Sequence, residues 1–444
     1  MRDAILLLAV LSSLFFVLRY PFAGLLIWAW FSLMTPHQMA YGVFGVPLNL
    51  IIAAVTMGSM IINAQSLKLK ADLLSVFIGL FAVWMFIAQS YSLDPSNSAI
   101  YFDRFTKTLL FVLLCIQLAD TKLRIHALIW IFVIALGYFG AKGALFTLFT
   151  LGEYRVQGIP LTILEDNNHM GIALATTLPF ILYLRGEAKN PLLKNALLAL
   201  FLMVTFSVFG TQSRGAFISL VVFGGFFWWR SKHKVSIFVA LVLITVPVIA
   251  FLPAKWTERM STISEATQDA SFMGRVDAWV INYKLAEENP VTGAGLRNSY
   301  QKEIASEVDP ERAPRAKAAH SIYFEVLGGT GFFGLAIFLS ILGSAFLLSR
   351  FQAGLPATPE NPQWVRRLGY YSQISLVVFG VGGASTSLEM WDGYWVVIAL
   401  IAASRRVHAS SLKVRRKMST KSHRFTWRQR ARGLTSKPIS KSLS

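Results

Sequence analysis

Two arginines and one histidine are the residues of this sequence best suited to carry chemistry. Arg214 lies between two apolar segments, and Arg275 stands at the start of an amphipathic segment. A guanidinium binds phosphate in a bidentate manner, and a helix N-terminus also favours an anion. His320 precedes a long apolar segment, where an imidazole can exchange protons near neutral pH. Together they suggest a diphosphate site with a general base, although each could instead be an ordinary side chain at a membrane surface.

A second group of polar residues could bind sugar hydroxyls. Residues 166–168 (Asp-Asn-Asn) end a loop directly before an apolar segment, and an arginine lies in the same loop. Helix capping alone would also explain the aspartate or the second asparagine. A tyrosine and a glutamate follow the histidine within five residues. The substrate-binding candidates are Arg155, Asp166, Asn167, Asn168, Tyr323 and Glu325.

The motifs of common metal and hydrolase sites are missing from the sequence. It contains no H-E-x-x-H, no P-loop and no G-x-S-x-G elbow. Glu307, Asp309 and Glu311 alternate around a proline, which is not a recognisable metal cage. The lone Cys115 excludes a disulfide within the chain. We therefore expect no metal site, no cofactor and no serine hydrolase.

The elements that must position these residues are membrane-spanning helices. Of the 444 residues, 55% are hydrophobic and only 15% are charged, against about 25% charged in soluble proteins. Apolar runs near the membrane-spanning length of about 20 residues recur as far as Ser404. This predicts an all-α polytopic membrane protein with about 12–13 transmembrane helices; whether residues 1–35 form one span or two stays open. The predicted spans are 4–18, 21–35, 47–63, 72–89, 106–118, 125–140, 169–184, 194–209, 214–229, 235–252, 321–348, 369–385 and 391–404.

Lysines and arginines in short loops predict the orientation of the chain. Basic loops at 67–70, 122–124, 185–194, 230–234 and 350–367 fall on one side of the membrane when the spans are counted, which makes that side cytoplasmic. The long segment 253–320 then lies on the opposite, outer side of the membrane. Within it, apolar positions recur at helical spacing: Val276, Trp279, Val280 and Tyr283, with Asp277, Lys284 and Glu288 opposite. This predicts an amphipathic helix that begins after Gly274 and lies in the membrane interface.

The chain divides into three regions by composition. Residues 1–140 and 141–404 are two groups of transmembrane helices, and the second includes the outer loop 253–320. Residues 405–444 contain many lysines and arginines and no acid, and they contribute much of the formal net charge of +19. We expect a disordered cytoplasmic tail beside anionic membrane lipids rather than a partner for nucleic acid.

Four motifs, in their order along the chain, resemble the O-antigen ligase and polymerase superfamily of bacterial envelopes. They are Ser213-Arg214-Gly215, Gly274-Arg275 with Trp279, the segment Asn289-Pro290-Val291-Thr292-Gly293-Ala294-Gly295, and His320-Ser321 followed by Glu325, Gly328, Gly331 and Gly334. Near the N-terminus, Arg19-Tyr20-Pro21-Phe22-Ala23-Gly24, Trp28-Ala29-Trp30 and Met34-Thr35-Pro36-His37 resemble one branch, the O-glycosylation ligases associated with the exosortase A system. Residues 166–168 also resemble that branch. Ser321 departs from the asparagine that is frequent in the family.

The resemblance implies a GT-C-like glycosyltransferase of the bacterial inner membrane with its active site facing the periplasm. The donor would be a glycan on undecaprenyl diphosphate, and the acceptor hydroxyl would belong to a glycan, a lipid or a protein. Such enzymes look independent of metals, so Arg214 and Arg275 would stabilise the leaving diphosphate. His320 would be the general base in an inverting displacement, or would instead orient the diphosphate.

Three other functions fit parts of the sequence. A polymerase of the same superfamily differs from a ligase only in its acceptor. A transporter of lipid-linked sugars would need ionisable residues deep in its spans, and the predicted spans are nearly free of acids. A membrane scaffold would have no activity at all. The sequence favours the ligase, with the polymerase as its first alternative.

Overall fold

The computed structural model describes residues 2–43, 45–63, 71–261 and 270–434. The basic loop 67–70, part of the long loop (262–269) and the end of the tail (435–444) lie outside the described residues. The helices of the first half are α1 (Arg2–Arg19), α2 (Pro21–Met34), α3 (Leu48–Ile62), α4 (Leu73–Ser90), α5 (Pro95–Leu118), α6 (Lys122–Phe149), α7 (Asn167–Glu187) and α8 (Pro191–Gly210). Those of the second half are α9 (Arg214–Arg230), α10 (Lys234–Phe251), α11 (Ala254–Ser261), α12 (Ala270–Glu288), α13 (Lys302–Val308), α14 (Ile322–Ala353), α15 (Gln363–Gly383) and α16 (Asp392–Leu434).

The all-α polytopic membrane fold predicted from the sequence is confirmed. A helix covers each predicted span, and the described ranges contain no β-strand. Within those ranges, five helices (α4, α6, α8, α10 and α14) are each long and apolar enough to cross a membrane alone, and α2 and α3 are shorter apolar helices. Only Tyr20 separates α1 from α2, so residues 2–34 form two helices rather than one.

Helix α7 lies in the middle of the bundle, and its two ends identify the two ends of the bundle. Most of its 21 residues are buried, and at about 1.5 Å per residue it spans about 30 Å, the thickness of a bilayer's hydrocarbon core. At its C-terminal end, Glu187 forms ion pairs with Lys122 (3.5 Å) and Arg367 (3.2 Å). Loops predicted to be cytoplasmic therefore meet at one end of the bundle. The N-terminus of α7 marks the opposite end, where the long loop packs.

The glycines of the third and fourth motifs join the long loop to α14. This helix is interrupted at Gly331, whose φ of 70° lies in the left-handed region that favours glycine. The turn that follows α12 fits into the interruption: Ala294 donates its backbone N–H to the carbonyl of Gly328 (2.8 Å), and Phe332 donates to that of Pro290 (2.9 Å). The predicted single span 321–348 is thus two helical segments that hold the loop between them.

Helix α12 differs from the predicted interfacial helix. It begins at Ala270, before Gly274. Asp277, expected on a solvated face, is 6% exposed and pairs with Arg312 and Arg315, each at 3.2 Å. On another face, the Trp279 ring stacks on Phe324 of α14 at 5.3 Å between centroids. The helix therefore packs against both its own loop and α14, while Met273 and Tyr283 remain exposed.

The basic tail also differs from expectation. We expected no regular structure after residue 404, yet α16 continues as a helix to Leu434. The segment is rich in arginine, lysine and other good helix formers, and it contains neither proline nor glycine before Gly433. Local propensity therefore favours a helix here despite the density of like charges.

Candidate functional site

Seven of the nine predicted site residues line one cavity at the N-terminal end of α7. Its volume is about 240 Å³, and we call it cavity A. It is lined by Arg155, Asp166, Asn167, Asn168, Arg214, Gly215, Ser271, Arg275, Lys317 and His320. Residues far apart in the chain, on three helices and two loops, therefore meet in one small space.

Arg214 is placed in cavity A by a braced turn between α8 and α9. Ser213 caps α9 by accepting a hydrogen bond from the N–H of Ala216 (3.2 Å), so Arg214 is the first helical residue. The Asn167 amide donates to the carbonyl of Thr211 at 2.7 Å and is 5% exposed. Asn167 therefore holds the turn that carries Arg214, which is a structural role beyond the sugar binding expected of it.

The loop before α7 is shaped by Asp166. Its carboxylate accepts from the backbone N–H of Asn168 (2.8 Å) and of His169 (3.4 Å), and from the Asn168 side chain (2.8 Å). Burial opposes ionisation of this carboxyl, but the neighbouring His169 and the hydrogen bonds from Asn168 outweigh it and lower its pKa. Asp166 is thus an ionised helix cap that also lines cavity A.

Helix α12 supplies Arg275 and Ser271, which lie one helical turn apart on the same face. Gly274 beside them makes room for a further cation, since a Cβ at that position would collide with the ammonium of Lys317. The glycine of the Gly-Arg motif therefore has a physical role: it lets Lys317 approach α12 and enter cavity A.

His320 is held in an unusual backbone conformation. Its φ of 46° is left-handed, which a histidine adopts only when its surroundings impose it. Both backbone polar groups of the preceding residue, Ala319, are fixed: Trp279 Nε1 donates to its carbonyl (2.7 Å), and Glu325 accepts from its N–H (3.0 Å). These two contacts aim the imidazole at cavity A.

Burial lowers the pKa of His320 to about 4, and the charges of Arg275 and Lys317 act in the same direction. The imidazole is therefore neutral at neutral pH and has a lone pair to accept a proton. Its Nδ1 is buried without a hydrogen-bond partner among the described residues. The ring of His169 lies 6.3 Å away between centroids. A neutral, unpaired imidazole fits a general base better than a cationic ligand for phosphate.

Two predicted residues lie outside cavity A. The Tyr323 hydroxyl donates to the carbonyl of Gly380 (2.8 Å) and packs α14 on α15. Glu325 is 3% exposed and accepts hydrogen bonds from Tyr300 and Ser387, both at 2.6 Å, besides Ala319. Neither residue lines cavity A, and the substrate contacts expected of them remain predictions; in this structure Glu325 holds the residue before His320.

Sequence reasoning missed two residues that line cavity A. Lys317 precedes His320 by three residues, and Ser271 precedes Arg275 by four. The helical spacing of Ser271 was visible, but the predicted helix began too late to include it. Nothing in the sequence marked Lys317, because its place depends on the missing Cβ of Gly274.

Cavity A is strongly positive. Four cations face one carboxylate, and the N-termini of α7 and α9 both point at it. Positive ends of helix dipoles and guanidinium groups favour an anion with several charged oxygens. No group of three or more metal-ligating side chains occurs in the part of the chain that the structure describes. The arrangement can bind a phosphate or diphosphate next to a neutral proton acceptor.

Two regions of the chain match known sequence families. Residues 1–189 match a family of unknown function, and residues 198–339 match the family described as O-antigen ligase. No curated protein matched the chain. Cavity A draws Arg155 and Asp166 from the first matched region, and Arg214, Arg275 and His320 from the second. Residues 198–339 of this membrane protein are thus similar to the O-antigen ligase family.

Proposed function

We propose that this protein transfers a glycan from undecaprenyl diphosphate to an acceptor hydroxyl, with inversion at the anomeric carbon and without a metal. The observation that carries the proposal is the meeting of four cations with the neutral His320 in cavity A. A lipid diphosphate leaving group develops negative charge as its bond to the sugar breaks. Fixed cations that face this charge lower the barrier, each by about 10²–10³-fold in rate.

Each of these residues has a separate role in the reaction. The acceptor oxygen forms a bond to the anomeric carbon while the bond from that carbon to the diphosphate oxygen breaks. The acceptor proton passes to His320, and the lipid diphosphate leaves with the electron pair. Arg214 and Arg275 bind the diphosphate oxygens, and Arg155 and Lys317 add charge at the edge of the cavity. General-base assistance of this kind is worth about 10²–10⁴-fold.

We infer that cavity A faces the periplasm of a bacterial inner membrane. The basic loops that meet around Glu187 lie at the opposite end of α7 from cavity A, and basic loops favour the cytoplasmic side. A donor flipped to the outer leaflet would bring its diphosphate to this depth. The N-terminal motifs favour the exosortase-associated O-glycosylation branch within the superfamily.

A transfer assay tests the proposal. Purified protein receives undecaprenyl-diphosphate glycan and candidate acceptors in the presence of a chelator. We expect transfer by the wild type and losses of at least about 10²-fold in Arg214→Ala, Arg275→Ala and His320→Ala. Arg315→Ala is the matched control, since Arg315 is an exposed cation of the same loop that does not line cavity A.

Two outcomes would contradict the proposal. Full activity in His320→Ala would contradict the assignment of His320 as the general base. Activity that is lost with the chelator and restored by a divalent cation would contradict a mechanism without a metal. A polymerase of the same superfamily remains the second candidate, and it is recognised by a product that lengthens by whole donor glycans.

A further inference from the structure

We propose that a second cavity beside cavity A is the acceptor subsite and that it binds a carbohydrate chain. The cavity, which we call cavity B, has a volume of about 450 Å³, and Asp166 lines both cavities. Its lining includes Tyr101, Arg104, Gln157, Glu165, His169 and Arg297. This inference rests on the proposed function and names its acceptor class.

The lining of cavity B suits a ligand with many hydroxyl groups. Arginine and glutamine side chains donate hydrogen bonds, while Glu165 and Asp166 accept them. Each sugar hydroxyl both donates and accepts, so it needs this mixture rather than the excess of cations in cavity A. A tyrosine ring, Tyr101, lies under the Arg297 guanidinium at 4.8 Å from its centroid. Cavity B is therefore polar but nearly balanced in charge.

Unused hydrogen-bonding atoms are buried around cavity B. His169 has its Nδ1 within 2.7 Å of the carbonyl of Ile163, whereas its Nε2 is buried with no partner in the described ranges. Arg297 pairs with Glu389, 1% exposed, at 2.9 Å, yet Arg297 Nε and Glu389 Oε2 also lack described partners. Buried polar atoms without partners are costly, and a bound sugar would satisfy those that reach the cavity.

Cavity B continues into a third cavity, which makes the site elongated. This cavity C has a volume of about 210 Å³ and shares Arg104, Thr162 and Ile163 with cavity B. Its wall mixes polar side chains such as Gln38 and Asn49 with apolar and aromatic ones such as Trp28, Phe31 and Leu164. Adjacent cavities that offer both hydrogen-bonding groups and aromatic rings fit linked sugars.

The junction of cavities A and B is where the reaction would take place. His320 lines cavity A and His169 lines cavity B, with 6.3 Å between their ring centroids. In an in-line displacement the leaving group and the nucleophile lie on opposite sides of the anomeric carbon. With the diphosphate in cavity A, the acceptor hydroxyl enters from cavity B. There His169 Nε2 accepts a hydrogen bond from a neighbouring hydroxyl of the acceptor sugar, and His320 takes the proton of the attacking hydroxyl as the new bond forms. His169 is thus a positioning residue for the acceptor.

Blocking cavity B tests the assignment without disturbing cavity A. Gln157 is an exposed side chain on the wall of cavity B, so Gln157→Trp fills space there. Tyr154→Trp is the matched control, because Tyr154 is exposed on the same loop and lines neither cavity. The probes are undecaprenyl-diphosphate glycan as donor, and as acceptors labelled oligosaccharides cut from the producing bacterium's surface polysaccharide or a serine-rich peptide.

We expect Gln157→Trp to raise the KM for the oligosaccharide at least about tenfold. Donor binding should stay within twofold of wild type. His169→Gln should raise the same KM without weakening donor binding, and Tyr154→Trp should behave as wild type. Loss of donor binding in Arg214→Ala and Arg275→Ala but not in Gln157→Trp would separate the two cavities.

Three results would overturn the acceptor subsite. Donor affinity that falls in Gln157→Trp would assign cavity B to the donor glycan. Transfer to the peptide but to no oligosaccharide would remove the carbohydrate acceptor. Unchanged kinetics in both Gln157→Trp and His169→Gln would show that the acceptor binds elsewhere. If the wild type does not bind donor, the proposed function fails first, which these experiments distinguish.

Discussion

The Glu325 carboxylate holds the backbone N–H of Ala319 at 3.0 Å, one residue before His320. The same oxygen, Oε1, accepts from Tyr300 and Ser387, while Oε2 has no described partner. A glutamine keeps the accepting oxygen, so we expect Glu325→Gln to retain activity within about fivefold. Glu325→Leu removes the acceptor for three donors and should lower kcat at least about tenfold, with donor affinity unchanged. Activity and donor-binding assays check both variants; equal, severe losses in both would indicate that the carboxylate itself takes part in the chemistry.

Trp279 holds the other backbone polar group of Ala319, its carbonyl. Trp279→Phe removes the hydrogen bond to the Ala319 carbonyl but retains an aromatic ring over Phe324. Because a neutral hydrogen bond contributes about 0.5–1.5 kcal/mol, we expect a small fall in melting temperature. The larger effect should be on kcat, since His320 loses one of the contacts that fix its backbone. A melting curve alongside steady-state kinetics checks this, and unchanged kcat would mean that the Glu325 side alone suffices.

The effects of substitutions at Gly274 and Lys317 on donor binding should be coupled. Lys317→Ala removes a cation from cavity A and should weaken donor binding about tenfold, more at low salt than at high salt. Gly274→Ala should cause a similar loss, because the new Cβ displaces the Lys317 ammonium. In the double variant the two losses should not add. Titration of donor lipid at two salt concentrations measures this coupling; additive losses would show that Gly274 acts on something other than Lys317.

The pH dependence of transfer should differ between the free protein and its donor complex. The pKa of His320 is about 4 without ligand, because of burial and then the cations around it. A bound diphosphate neutralises those cations and favours the protonated imidazole, so the pKa rises. The base is lost as pH falls through its pKa. The acid limb should therefore lie at lower pH in kcat/KM, which reports the free enzyme, than in kcat.

Lys317→Ala supplies the control for this pH dependence. Removal of one cation should raise the pKa of His320 in the free protein and shift the acid limb of kcat/KM to higher pH. The titration would belong to another group if the acid limbs of kcat and kcat/KM lay at the same pH in the wild type. The same would follow if the limb of kcat/KM did not move in Lys317→Ala.

Much of the membrane architecture and most of cavity A could be predicted from the sequence. Spans are visible because lipid demands long apolar helices. Arg214, Arg275 and His320 stand out because charged or titratable groups beside such helices are costly. The backbone contact of Glu325 was not foreseen, because a carboxylate near a candidate base looks the same in sequence whether it contacts the substrate or the backbone. Lys317 and His169 depend on how distant segments pack, which no local pattern records.

The division of cavity A between two family regions constrains how this protein can diversify. Arg155 and Asp166 come from residues 1–189, whereas Arg214, Arg275 and His320 come from residues 198–339. If recombination joined halves from two different relatives, the residues that line cavity A from both halves would have to be compatible before the hybrid protein could be active. If the two halves were compatible, the first region would supply new lining residues for cavities B and C. Arg214 and Arg275 of the second region would stay in place. Exchange of the N-terminal half is thus a route by which the enzyme could acquire a new partner without rebuilding its chemistry.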